Sequence, residues 1–159
     1  MIRIKKSKSA DTRSADHAIG RQELLDSTRM HISDVRKAMA WFSRMLVMRA
    51  CSHDRTKLTE FDEFYRQFHN EQATGKGDWM DNPQGWYRKI HLVEERHHLN
   101  NACPNDVNLF DVIEMLCDCA MAGLARSGKY RHDDIDANVL KTAFDNTVKM
   151  LVENTIVED

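Results

Sequence analysis

Proline and glycine are scarce in this chain. Pro83 and Pro104 are the only prolines in 159 residues, and there are six glycines. That is little turn-forming material for many short strands, and it fits helices joined by few turns. No apolar run is long enough to span a bilayer. An excess of one charge sign is also lacking: 23 Lys and Arg face 25 Asp and Glu, for a formal net charge of −2. No global field therefore draws the chain to nucleic acid or to an anionic membrane surface. The four cysteines, Cys51, Cys103, Cys117 and Cys119, show no Cys-x-x-Cys spacing. They read as free thiols of a reducing, cytoplasmic compartment, packed as small apolar residues. The basic opening from Met1 to Lys8 has no apolar segment behind it, so no secretory signal is expected.

What is present is helical periodicity. The length and pattern predict an all-α fold: a compact single-domain bundle of about five to six helices over residues 21–159, behind a flexible basic arm at residues 1–20. From Arg21 to Ala50, Leu24, Leu25, Thr28, Ile32, Val35, Met39, Phe42, Met45 and Leu46 share one apolar face, with His31 at its edge. Ser52 reads as the N-cap of a short helix carrying His53 and Asp54 in its first turn. Thr59 with Asp62 caps the next helix, whose Phe61, Phe64, Tyr65 and Phe68 face the core. Residues 73–81 read as a loop, and Asn82-Pro83 opens a helix through Val93 that also carries His91, His97 and His98. Asp106 or Asn108 caps the most apolar helix, which stops at Gly128. A last amphipathic helix starts at Asp133 or Asp134, and its Phe144, Val148 and Leu151 offer an interface for a second copy. No strand pattern competes with these helices.

Histidine is abundant: eight in all, six of them between His31 and His98. An adjacent pair, His53-Asp54, stands where one helical pattern stops and the next starts. Their short stems can converge on one ion from a distorted first turn. His31 on a neighbouring helix and Asp118 on a later one complete a mixed nitrogen and oxygen set. Such donors suit Mn, Fe, Co, Ni, Zn or Mg. Asp111, Glu114 and Asp118 lie at i, i+3 and i+7, so they form a carboxylate stripe on the most apolar helix. An ionised carboxylate in such surroundings must be paired, hydrogen-bonded or metal-bound.

In order and rough spacing, His31, His53-Asp54 and Asp118 resemble the H…HD…D signature of the HD superfamily of metal-dependent phosphohydrolases. The segment Glu114 to Ala122 resembles that family's last motif. The wider pattern, with Lys57 three residues after Asp54, His91 and Arg96-His97-His98, resembles small uncharacterised HD-like proteins of phages and bacteria. The resemblance covers Thr28 to Arg126. It implies hydrolysis of a nucleotide or another small phosphorylated metabolite by a metal-activated water. It implies one or two divalent ions, the first on His31, His53, Asp54 and Asp118, the second on His91 and His98. His97 is then a candidate general acid. Small nucleotidases of the superfamily often carry an acidic residue soon after the HD pair, whereas here Lys57 stands one turn on. Lys57 joins Asp54 and His97 as a candidate catalytic residue, and Arg55, Lys57, Arg96 and Glu114 are candidates for substrate contacts. The expected setting is cytoplasmic (the host's, for a phage protein), with neither membrane nor nucleic acid as partner; the oligomeric state is open, with a homodimer as a candidate because HD relatives are often dimers.

Four other readings are open. Some dinuclear HD relatives are di-iron oxygenases. Glu94-x-x-His97 and Glu95-x-x-His98 match half of the di-iron bundle motif, and Glu60-x-x-Glu63 with Asp111-x-x-Glu114 faintly resembles magnesium-dependent helical pyrophosphohydrolases. The fourth is a non-catalytic helical protein that binds a host partner through its basic arm.

Overall fold

The computed structural model describes residues 1–7, 9, 18–74, 79–129 and 134–159, except for the side chains of residues 71–74. The described chain is mostly helical, as the periodicity predicts. The helices are α1 (Arg21–Ser52), α2 (Arg55–Thr59), α3 (Phe61–Thr74), α4 (Leu92–Glu94), α5 (Leu99–Ala102), α6 (Leu109–Ser127) and α7 (Ala137–Glu153). No described helix is long and apolar enough to cross a membrane. By its internal contacts the chain divides into two units: Met1–Val47 with Thr147–Asp159, and Met48–Asn146.

The first unit adds one short strand pair to the helices, where no strand was expected. β1 (Ile2–Lys5) pairs in parallel with β2 (Thr155–Glu158), with Ile2 opposite Thr155 and Lys5 opposite Glu158. Residues 2–5 are therefore a strand, and Ile2 is buried. Ile2 and Ile4 alternate with Arg3 and Lys5, and Thr155, Ile156 and Val157 are β-branched, but four-residue runs are too short to stand out in sequence. Most of the remaining arm, residues 8 and 10–17, lies outside the described residues. The packed line of α1 here holds Ser27 and Trp41, whereas Leu25, Ile32, Val35 and Met39 of the expected core face are 39–64% exposed. Lys37 donates from Nζ to the Arg3 carbonyl at 2.9 Å, which ties α1 to β1.

The second unit contains two apolar clusters. Leu99, Val107, Met115 and Ala143 form one, with Leu109, Val112 and Val139 against them. Trp86, Tyr87 and Leu92 form the other, against Phe64, Trp79 and Ile90. Asn108 caps α6: its side chain accepts from the Phe110 and Asp111 amides, while Asp111 accepts from the Asn108 amide. Gly128 closes α6 with φ 64°, a left-handed conformation that costs glycine little.

Three boundaries differ from expectation. Ser52 ends α1 instead of starting a helix. The helix expected from Pro83 is instead a π-helical turn (Tyr87–His91) followed by the single turn of α4. The chain then extends at Glu95, so His91 and His98 do not share one helix. The last helix starts at Ala137, later than its acidic cap candidates. All four cysteines are free, and three of them are exposed instead of packed away.

Candidate functional site

The site begins where α1 ends. His53 follows its last residue, and Asp54 then takes φ 53° and ψ 25° before α2. Asp54 is the one non-glycine residue with positive φ among those described. A β-carbon makes that conformation costly, by roughly 1–2 kcal/mol, so surrounding contacts must hold it. Lys57, one turn on, donates to Asp54 Oδ2. Glu95, itself buried, accepts the Thr56 amide at 2.8 Å and so satisfies the start of α2 from another segment.

Two donor groups meet at Asp54. In the first, His53, His97 and Glu114 present ligand atoms within 4.8 Å of one another; in the second, Asp54, His91 and His98 do the same. His53 Nδ1 lies 3.1 Å from Glu114 Oε1, and His97 Nδ1 lies 3.2 Å from the same oxygen. Asp118 approaches both rings, at 3.7 Å from His53 Nε2 and 3.9 Å from His97 Nε2. In the second group the Nε2 atoms of His91 and His98 face each other at 2.8 Å. Asp54 Oδ1 lies 3.5 Å from His91 Nε2 and 3.8 Å from His97 Nε2, so one carboxylate touches both groups.

Several of these atoms lack hydrogen bonds. Asp54 Oδ1 and both ring nitrogens of His97 are buried with no well-directed partner among the described residues. Buried polar atoms are normally satisfied, and leaving them bare costs on the order of 1–3 kcal/mol each. A cation between them would use these lone pairs, and the mixed imidazole and carboxylate donors fit a borderline divalent ion.

Electrostatics separate the two groups. The hydrogen bond to Glu114 raises the His53 pKa, burial opposes it, and the Asp54 and Asp118 charges add to it. Burial tends to raise the Glu114 pKa, but its contacts with His53 and His97 hold it low. Burial likewise works against the Asp54 carboxylate, and Lys57 outweighs it, so this pKa is lowered. Burial and the neighbouring His98 push His91 down to about 3. Burial and His97 push His98 down to about 4.

A pH dependence of stability follows. As pH falls below about 6.5, the unfolded chain protonates His91 and His98, but the folded chain does not until about pH 3 and 4. Stability from these two residues therefore drops across that window. The contributions of Asp54 and Glu114 are present above their unfolded values and fail only at lower pH. That of His53 is complete below about 6.5 and is lost as pH rises through its raised value. In chelator-treated protein, the melting temperature at pH 5 is expected to be several degrees below that at pH 7. A flat profile by circular dichroism between these values would contradict the neutral state of the buried His91 and the half-buried His98.

The other expected residues divide. Lys57 lines a cleft of about 730 Å³ together with Asp54, His91, His97, His98 and Asp118. Arg55 is exposed and does not line it. Arg96 is committed to structure: it forks onto Asp111 with contacts of 3.0 and 2.8 Å and also holds Asp106. Asp111, fully buried, takes a second guanidinium from Arg49 at 2.7 Å. The carboxylate stripe of α6 thus splits, Asp111 to the arginines and Glu114 and Asp118 to the histidines. His31, expected among the ligands, is an exposed residue of the first unit and joins neither group.

Sequence reading missed Thr56, Arg88 and Arg126, and weighed Glu95 only as half of a di-iron motif. The two arginines line the cleft, and Arg126 is Asp118 plus eight on α6, close to the same face. That spacing was a usable signal, whereas nothing in the sequence marks Thr56 or the structural role of Glu95.

No curated protein and no solved structure gives a significant match to this chain. Residues 20–158 match the model of a family of unknown function, DUF5662, and the chain belongs to that family.

Proposed function

We propose that this protein is a metal-dependent phosphohydrolase acting on a nucleotide or another small phosphorylated metabolite. The observation that carries the reading is Asp54, a half-buried, backbone-strained carboxylate that touches two His-rich donor groups and whose buried Oδ1 has no hydrogen-bond partner among the described residues. The resemblance of His53-Asp54…Asp118 to the HD superfamily adds the reaction class. His53, His97, Glu114 and Asp118 would hold one divalent ion, and Asp54, His91 and His98 a second. Such ions lower the pKa of water and offset charge on a phosphoryl group. The chain's own part is positioning. Lys57 neutralises Asp54 and stands at the cleft edge, and Arg126, with no ion-pair partner among the described residues, offers its guanidinium to an anionic substrate. Phe64, Phe68 and Tyr87 line the same cleft and give a flat apolar group a surface. Four free thiols suit a reducing cytoplasm.

The test is elemental analysis of purified protein beside His53→Ala/Asp54→Ala, followed by phosphate release from a nucleotide panel. One or two equivalents of transition metal, absent from the double variant, together with phosphate release are expected. No metal and no thermal shift with Mn, Co, Ni, Zn, Fe or Mg would sink the reading. Two equivalents of iron without phosphate release would favour the di-iron oxygenase alternative. An Arg126→Ala variant should raise KM about tenfold or more with little change in metal content, because it removes one charge-assisted contact.

A further inference from the structure

We infer that Thr56 is the positioning residue that sets the orientation and tautomer of His91. This rests on the proposed metal site. Thr56 is 1% exposed and sits two residues after Asp54. Its two polar groups reach different places: the amide donates to Glu95 Oε1, and the hydroxyl oxygen lies 2.8 Å from His91 Nδ1. His91 is fully buried, at the end of the π-helical turn, and its ring stacks near those of Trp86 and Tyr87. Stacking holds the plane of an imidazole but does not distinguish the ring from its flipped copy. A hydrogen bond at Nδ1 does, because flipping would put carbon against the hydroxyl.

The far side of the ring gives the reason. His91 Nε2 faces His98 Nε2 at 2.8 Å and Asp54 Oδ1 at 3.5 Å. To serve as a ligand there, Nε2 must present its lone pair, so the ring proton must sit on Nδ1. Thr56 Oγ1 then accepts the Nδ1–H bond, and an outer partner of this kind orients a metal-binding histidine. Thr56 thereby links the ring of His91 to the segment carrying Asp54, so two of the three donors of the second group are tied together by one residue.

The test compares Thr56→Val and Thr56→Ser with wild type. Zn2+ and Co2+ alone are titrated against a chromophoric competing chelator, and folding is followed by thermal melts. The valine variant should bind the metal about 10–100-fold more weakly, and the serine variant within about threefold of wild type. Equal affinity of wild type and valine variant would overturn the assignment and leave the metal reading standing. So would an equal loss in both variants, since serine keeps the hydroxyl and its failure would show that the hydroxyl does not place the ring. Absence of metal in wild type would remove both readings together. Should the valine variant not fold, nitrogen-15 NMR of metal-free wild type decides. A neutral His91 protonated at Nδ1 supports the assignment, and the Nε2-protonated form overturns it.

Discussion

Asp111→Ala is expected to cost about 3–5 kcal/mol of stability, which lowers the melting temperature by roughly 10 °C or more. Asp111 is fully buried and receives the Arg96 fork and the Arg49 guanidinium. It also accepts the Asn108 amide at the start of α6. Alanine removes all of these contacts and leaves two half-buried cations facing each other without their counter-charge. Arg96 shows the strength of the pairing, since Asp111 outweighs burial and raises its pKa. Neutralising the whole set should hurt less: Arg49→Met/Arg96→Met/Asp111→Leu is expected to recover part of the loss, because the unpaired charges go too. A melt of Asp111→Ala within about 2 °C of wild type would show that the triad contributes little.

Asp54→Asn is expected to reduce phosphate release by at least about 10³-fold and to lower the bound metal. Asparagine tolerates the left-handed backbone, so the fold should survive. The change removes the charge that touches both donor groups while keeping the size of the side chain. Asp54→Gly sharpens the test, because glycine also relieves the strained φ of 53°. Its metal content should fall as far as that of the asparagine variant, while its melting temperature should stay at or above that of the asparagine variant. Divergence of stability and binding in this direction is what strain stored at a functional site produces. Wild-type metal content and activity in Asp54→Asn would remove Asp54 from the centre of the site.

The helical class and the stop of α6 at Gly128 could be read directly from residue order, and the choice of cap was narrowed to Asp106 or Asn108, of which the structure uses Asn108. Three-and-four periodicity and cap chemistry are local properties, and α6 obeys both. The His53-Asp54 pair stood out for the same reason, as two adjacent donors at a break in the pattern. The strand pair did not stand out, because Ile2–Lys5 acquires its meaning only from Thr155–Glu158, at the far end of the sequence. His31 illustrates the converse. It lies at the edge of the apolar face of α1, but packing chose the line through Ser27 and Trp41, and His31 stays exposed.

By itself the sequence determined the helices, the abundance of ligand-type side chains and the position of the HD pair. Only the tertiary structure decided how those side chains were shared. It gave Asp111 to the arginines and Glu114 to His53 and His97, although the three-residue spacing makes the two carboxylates look alike. It broke the helix after Glu94, with Glu95 extended and a turn at Arg96-His97, so that His97 and His98 turn back on Asp54. The physical reason is that spacing along a helix specifies a face, whereas partnership depends on what other segments bring to that face. Thr56, His91 and Glu95 are 35 and 39 residues apart in sequence, and only folding makes them neighbours.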